Sequence, residues 1–166
     1  MSFSDLEHGE DLKGSPDRFG YYWERFNELT REQERQFQLW TSHLSPERDW
    51  KGKVFLDGGC GAGRNSYWAM SYGAKSCVSI DLDERSLAAA RRNLAKFPSA
   101  EVRECSIYDI PYKDMFDIVF SIGVIHHLSD PALAVRKLAE AAKPGGKVLL
   151  WVYGYENLEF YVNVFG

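Results

Sequence analysis

The chain has 166 residues, enough for one compact domain and too few for two. With 45% apolar and 14% aromatic residues it can furnish a core, which excludes a disordered polypeptide. A net charge of -4 and a pI near 5.6 argue against an obligate nucleic-acid binder, which would carry a basic excess.

Residues 1–18 are polar and acidic with few apolar anchors and read as a loose arm. They lack the basic-then-apolar start of a secretion signal, and the longest strongly apolar stretch, 147–155, is far below the roughly 20 residues of a membrane span. A cytoplasmic protein with no membrane partner is expected. Cys60, Cys77 and Cys105, an odd count without CxxC spacing, suit reduced thiols; neither a disulfide framework nor a metal site is expected. Phe19, Tyr21, Tyr22 and Trp23 form an aromatic cluster before a helical stripe of Tyr22, Phe26, Leu29, Phe37, Trp40 and Leu44, in which Gln33 is the one polar residue. The charge run Arg31, Glu32, Glu34 and Arg35 reads as its solvated face.

Beyond Lys51 and Gly52, short apolar runs alternate with helix-length amphipathic segments, the pattern of βαβ units feeding a parallel sheet. Strands are predicted at 53–57, 76–81, 100–105, 116–121 and 147–153. Asp83 can cap a helix over 84–97, and Asp130 with Pro131 begins another over 132–142. Lys143, Pro144, Gly145 and Gly146 should stop that helix and turn the chain into the fifth strand.

The first strand runs into Asp57, Gly58, Gly59, Cys60, Gly61, Ala62 and Gly63. Glycines at 59, 61 and 63 permit backbone angles and a close ligand approach that a Cβ would block, and the following helix offers free N–H groups. Asp81 ends the second strand 22 residues after Gly59, close to the roughly 20 expected of a carboxylate that binds ribose hydroxyls. The dinucleotide fingerprint GxGxxG fails in both registers, because Arg64 or Ser66 stands where its third glycine belongs.

DGGCGAG at 57–63 instead resembles the first motif of class I S-adenosylmethionine-dependent methyltransferases. The resemblance continues through VSIDL at 78–82, SIYDIPY at 106–112, FDIVFS at 116–121, VIHHL at 124–128 and KPGG at 143–146, in order and at the right spacing. It implies an α/β Rossmann-like, doubly wound parallel sheet of strand order 3-2-1-4-5 over 19–155, lacking the last two strands of the usual seven, with 156–166 as a tail that begins a missing C-terminal part. It further implies that S-adenosylmethionine, with S-adenosylhomocysteine as product, is bound by Asp57, Gly59, Cys60, Gly61, Arg64, Asp81, Leu82, Ser106, Ile107 and Ser121. Within that set Asp57 would lie near the cofactor amino group, Asp81 on the ribose, and Leu82, Ser106 and Ile107 around the adenine. Many relatives have Asp where Ser106 stands, so the adenine hydrogen bond should be weaker here. The aromatic cluster either anchors the first helix or forms a lid.

Methyl transfer from a sulfonium is an in-line displacement that needs positioning and desolvation more than a base. His126 and His127, after the fourth strand, are the candidates for a proton acceptor, with a structural role as the alternative. A small-molecule acceptor is the expectation. The rival readings are a noncatalytic cofactor-binding or scaffold subunit completed by a partner, and a nicotinamide oxidoreductase. With five strands only, the fifth would present an apolar edge inviting self-association, and turnover would be slight.

Overall fold

Each apolar run of the sequence is too short to bury itself alone and finds its cover in a sheet with helices on both faces. The computed structural model describes residues 29–153, and 160–165 as backbone. The arm at 1–18, the aromatic cluster and positions Tyr22 and Phe26 lie outside the described residues.

Helix α1 (Arg31–Trp40) precedes β1 (Val54–Gly58), α2 (Arg64–Ser71), β2 (Ser76–Asp81), α3 (Glu84–Leu94), β3 (Ala100–Glu104), β4 (Phe116–Ile122), α4 (Pro131–Ala141), β5 (Ala142–Val152) and β6 (Phe160–Phe165). The helix starts follow the predicted chemistry. Asp83 accepts the Ser86 N–H at 2.7 Å, Asp130 accepts that of Leu133 at 2.9 Å ahead of Pro131, and Thr30 exchanges two hydrogen bonds with Gln33 in a capping box. The end of α3 falls three residues short of 97 because Pro98 disfavours helical angles at Phe97.

Strands one to five are parallel in the order β3-β2-β1-β4-β5, as predicted. The expectation of five strands and an open fifth edge is corrected: β6 pairs antiparallel with β5 from Lys147 opposite Phe165 to Val152 opposite Phe160. That ladder satisfies the outward N–H and C=O groups of β5, so the proposed route to self-association through its edge is removed. A second difference lies at the start of β5. Ala142 already pairs with Phe116, and the register then shifts, so Lys143–Gly146 is an irregularity within the strand rather than a turn before it. A Cβ on Gly146 would lie 2.8 Å from the Lys143 carbonyl oxygen, which is why the kink needs glycine.

Strand alternation sorts the core into two layers. Leu56, Val119, Val148 and Leu150 face α4, while Phe55, Ile118, Phe120 and Leu149 meet Phe37 of α1 and Met70 of α2 around Trp50. This second layer is rich in rings, with Phe55 stacked on Phe120 at 5.5 Å and Trp50 edge-on to both. It anchors α1 across the sheet, beside the carboxyl ends of the strands. Among the described residues no helix is long and apolar enough to cross a membrane.

Candidate cofactor site

At the end of β1 the chain turns through three glycines with positive φ: Gly59 at 81°, Gly61 at 52° and Gly63 at 71°. The Gly59 and Cys60 N–H groups both donate to the Ile80 carbonyl at 2.9 Å, and the Gly61 N–H donates to Asp81 Oδ2 at 2.8 Å. The other Asp81 oxygen accepts from the N–H groups of Leu82 at 2.8 Å and Asp83 at 3.1 Å. One carboxylate therefore holds both the glycine loop and the turn after β2. A Cβ on Gly59 would lie 2.5 Å from Val124 Cγ2, so only glycine lets the loop pass the turn after β4.

The loop forms the floor of a cavity of about 310 Å³ along the carboxyl ends of the strands. Topology dictates this place, because in an open parallel sheet the loops part where the connections reverse, here between β1 and β4. Of the predicted residues the cavity gathers Gly59, Cys60, Gly61, Arg64, Asp81, Leu82, Ser106, Ile107 and His127. Leu82 is 54% exposed and stands on the cavity wall. Ser106 caps a one-turn helix at Ile107–Asp109 by accepting the Tyr108 N–H at 3.2 Å, and Ile107 lines the cavity while packing into the core. Burial pushes the Cys60 thiol up, which makes it an inert wall rather than a nucleophile.

Three predicted residues do not line it. Asp57 has the same strand parity as Phe55 and points under the loop toward α2, where Ser66 Oγ donates to it at 2.6 Å and lies 2.7 Å from Ser79 Oγ. Desolvation, opposed by the Ser66 hydrogen bond and reinforced by the charge of Asp81, raises the Asp57 carboxyl to about 7. Ser121 is buried and donates to the Gly58 carbonyl at 2.7 Å, tying β4 to the end of β1. His126 stands edge-on to Tyr153 at 4.9 Å and against His127 at 4.0 Å. Burial lowers the pKa of both histidines, so both are neutral near pH 7.

The cavity also takes residues outside the predicted site: Gln33, Gln36 and Trp40 of α1, Tyr108, and Trp151 and Tyr153 at the end of β5. The interruption of the apolar stripe by Gln33 was the available signal for α1. For Tyr153 the signal was its place just beyond a strand's carboxyl end.

The residues present fit S-adenosylmethionine. The glycine floor leaves room where a Cβ would intrude, Asp81 offers carboxylate oxygens at the wall, and an exposed leucine waits for a ring. They fit a dinucleotide poorly, because Ser66 fills the space a third glycine would leave between α2 and the strands.

Residues 56–150 match the family model described as a methyltransferase domain. The tRNA U34 carboxymethyltransferase of Ruthia magnifica subsp. Calyptogena magnifica is 35% identical over 111 residues, covering 65% of this chain and 34% of that protein. The enzyme of the same name from Pseudomonas paraeruginosa is 35% identical over 113 residues, covering 66% and 35%. Among solved structures, an S-adenosylmethionine dependent methyltransferase from Mesorhizobium loti superposes with a TM-score of 0.60 at 27% identity, over 69% of this chain and 52% of that one. The chain thus spans about a third of the length of the curated relatives it matches. Their names overturn the expectation that disfavoured nucleic acid and favoured a small-molecule acceptor. Net charge is a weak guide to such a partner, because it sums over a whole surface, whereas a nucleic-acid contact is local.

Proposed function

This chain belongs to the S-adenosylmethionine-dependent methyltransferase family, and from that premise we propose that it binds S-adenosylmethionine over the glycine loop and catalyses alkyl transfer to a tRNA nucleotide. The observation that carries the cofactor half is the Asp81 carboxylate gripping Gly61 beneath three left-handed glycines, with Leu82 exposed beside it. The acceptor half rests on the curated relatives, which are named for a tRNA position and for a carboxymethyl group, so both methyl and carboxymethyl transfer belong in the test.

When bound, the cofactor would supply an electrophilic carbon on a sulfonium, open to in-line attack. The protein's part is positional. Asp81 would take the ribose hydroxyls with the oxygen lone pairs left by its backbone donors, Leu82 and Ile107 would cover the adenine, and Ser106 would meet its edge. The loop backbone at Gly59, Cys60 and Gly61, with Arg64 beside it, would hold the amino-acid end. His127, neutral and on the cavity wall, is the group able to accept a proton from an oxygen or nitrogen nucleophile. His126 and Ser121 hold this arrangement together from behind.

Calorimetric titration of S-adenosylmethionine, S-adenosylhomocysteine and NAD into the purified chain tests the cofactor. Binding of the first two and not of NAD is expected, and the reverse order would refute it. Incubation with tRNA and donor, followed by nucleoside mass spectrometry, tests the acceptor: an alkylated nucleoside is expected, and labelling confined to small molecules would refute it.

A further inference from the structure

The cavity has two chemically distinct ends. Its charged wall residues among those described, Arg64, Asp81 and Asp83, follow β1 and β2. The other end, over β4 and β5, is walled by Trp40, Trp151, Tyr153 and His127, and α1 also brings the amides of Gln33 and Gln36 to the cavity wall. The rings touch in series. Trp40 meets Trp151 at 4.9 Å, Trp151 meets Tyr153 at 4.7 Å and 75°, and Tyr153 meets His126 at 4.9 Å.

We propose that this aromatic end is a subsite for a neutral, planar heteroaromatic ring, a pyrimidine base, with Trp40 and Tyr153 as its stacking surfaces. The inference deepens the function proposed above and rests on it for the transfer chemistry and for the choice of a pyrimidine. Four observations lead to it. A free phosphate or carboxylate would call for a cation at this end; the described wall here has none, and burial keeps His127 neutral. Tyr153 is 63% exposed although it is a large ring on the wall, a poor use of the residue unless something covers it. Gln33 already engages the Thr30 N–H through its Oε1 at 3.1 Å, so what it can offer the cavity is its NH2, a donor suited to a ring carbonyl. Finally, α1 is fixed to the sheet by Phe37, which lies 5.7 Å from Trp50 and 6.1 Å from Phe120, so its wall is preorganised rather than assembled on binding.

The test titrates uridine, and separately choline, into the full chain saturated with S-adenosylhomocysteine. Uridine should bind and choline should not. Trp40→Ala and Tyr153→Ala should each weaken uridine by about tenfold, the scale of one lost base–aromatic stack. Tyr153→Phe, which keeps the ring, should bind uridine as the parent does. Because Trp40→Ala can also loosen α1, a second measurement uses the unaltered chain. An RNA hairpin with 4-thiouridine in its loop is irradiated with it, and the crosslinked peptide should contain Trp40 or Tyr153. Preference for choline, unchanged uridine affinity in both alanine variants, or crosslinks confined to other peptides would overturn the proposal. If S-adenosylhomocysteine fails to bind while the crosslink still maps to Tyr153, the cofactor reading falls and the base subsite stands.

Discussion

Replacing Asp57 by Asn should change how stability depends on pH more than it changes stability itself. In the folded protein the carboxyl is buried beneath the glycine loop, and its proton is held up to about 7, against an ordinary 3.8. Between those values the native state keeps a proton that the unfolded chain has released, so stability falls as pH rises through this window and is flat on either side. At about 1.4 kcal/mol per tenfold change in proton affinity, the interval corresponds to at most about 4 kcal/mol. Asn keeps an oxygen to accept the Ser66 hydroxyl but cannot ionise. Urea unfolding of both proteins at a series of pH values from about 4 to about 8 isolates the effect, since the two lowered histidines titrate in both and cancel in the difference. The Asn variant should gain on the parent as pH rises, by up to about 4 kcal/mol. Parallel stability curves would show that Asp57 is ionised in the folded state, and the argument from burial would fail.

Three further outcomes follow from the loop and its wall. Gly59→Ala places a Cβ 2.5 Å from Val124 Cγ2 at a φ of 81°, so strain and overpacking together should cost about 2–5 kcal/mol; urea unfolding within about 0.5 kcal/mol of the parent would refute this. Asp81→Ala removes the acceptor for three backbone N–H groups as well as the proposed ribose ligand, and should weaken S-adenosylhomocysteine by about 1–3 kcal/mol in calorimetry; unchanged affinity with an intact circular dichroism spectrum would make it a turn residue only. Leu82→Ala, at a half-exposed position, should leave unfolding nearly unchanged yet lower cofactor affinity, and a loss of stability without loss of affinity would contradict the assignment.

What the sequence by itself determined were features whose causes lie within a few residues. The strands of the parallel sheet were legible because each is a short apolar run between turn residues, and the caps at Asp83 and Asp130 because a capping side chain bonds an N–H three positions on. The glycine loop and Asp81 were legible for a related reason: positive φ at Gly59, Gly61 and Gly63 demands glycine, and one βα unit sets the distance to the acid. Only the tertiary structure decided which neighbouring side chains face the cavity. Asp57 and Ser121 sit on motif strands yet turn to Ser66 and to Gly58, since the pleat of a strand alternates direction whatever the motif suggests. Trp40 and Tyr153, more than a hundred positions apart, share a wall because the ring-rich layer around Trp50 holds α1 over the ends of β4 and β5, and no local pattern records that packing. The pairing of β6 with β5 is of the same kind: backbone groups at a strand edge accept any compatible partner, and only the folded chain selects which segment supplies it.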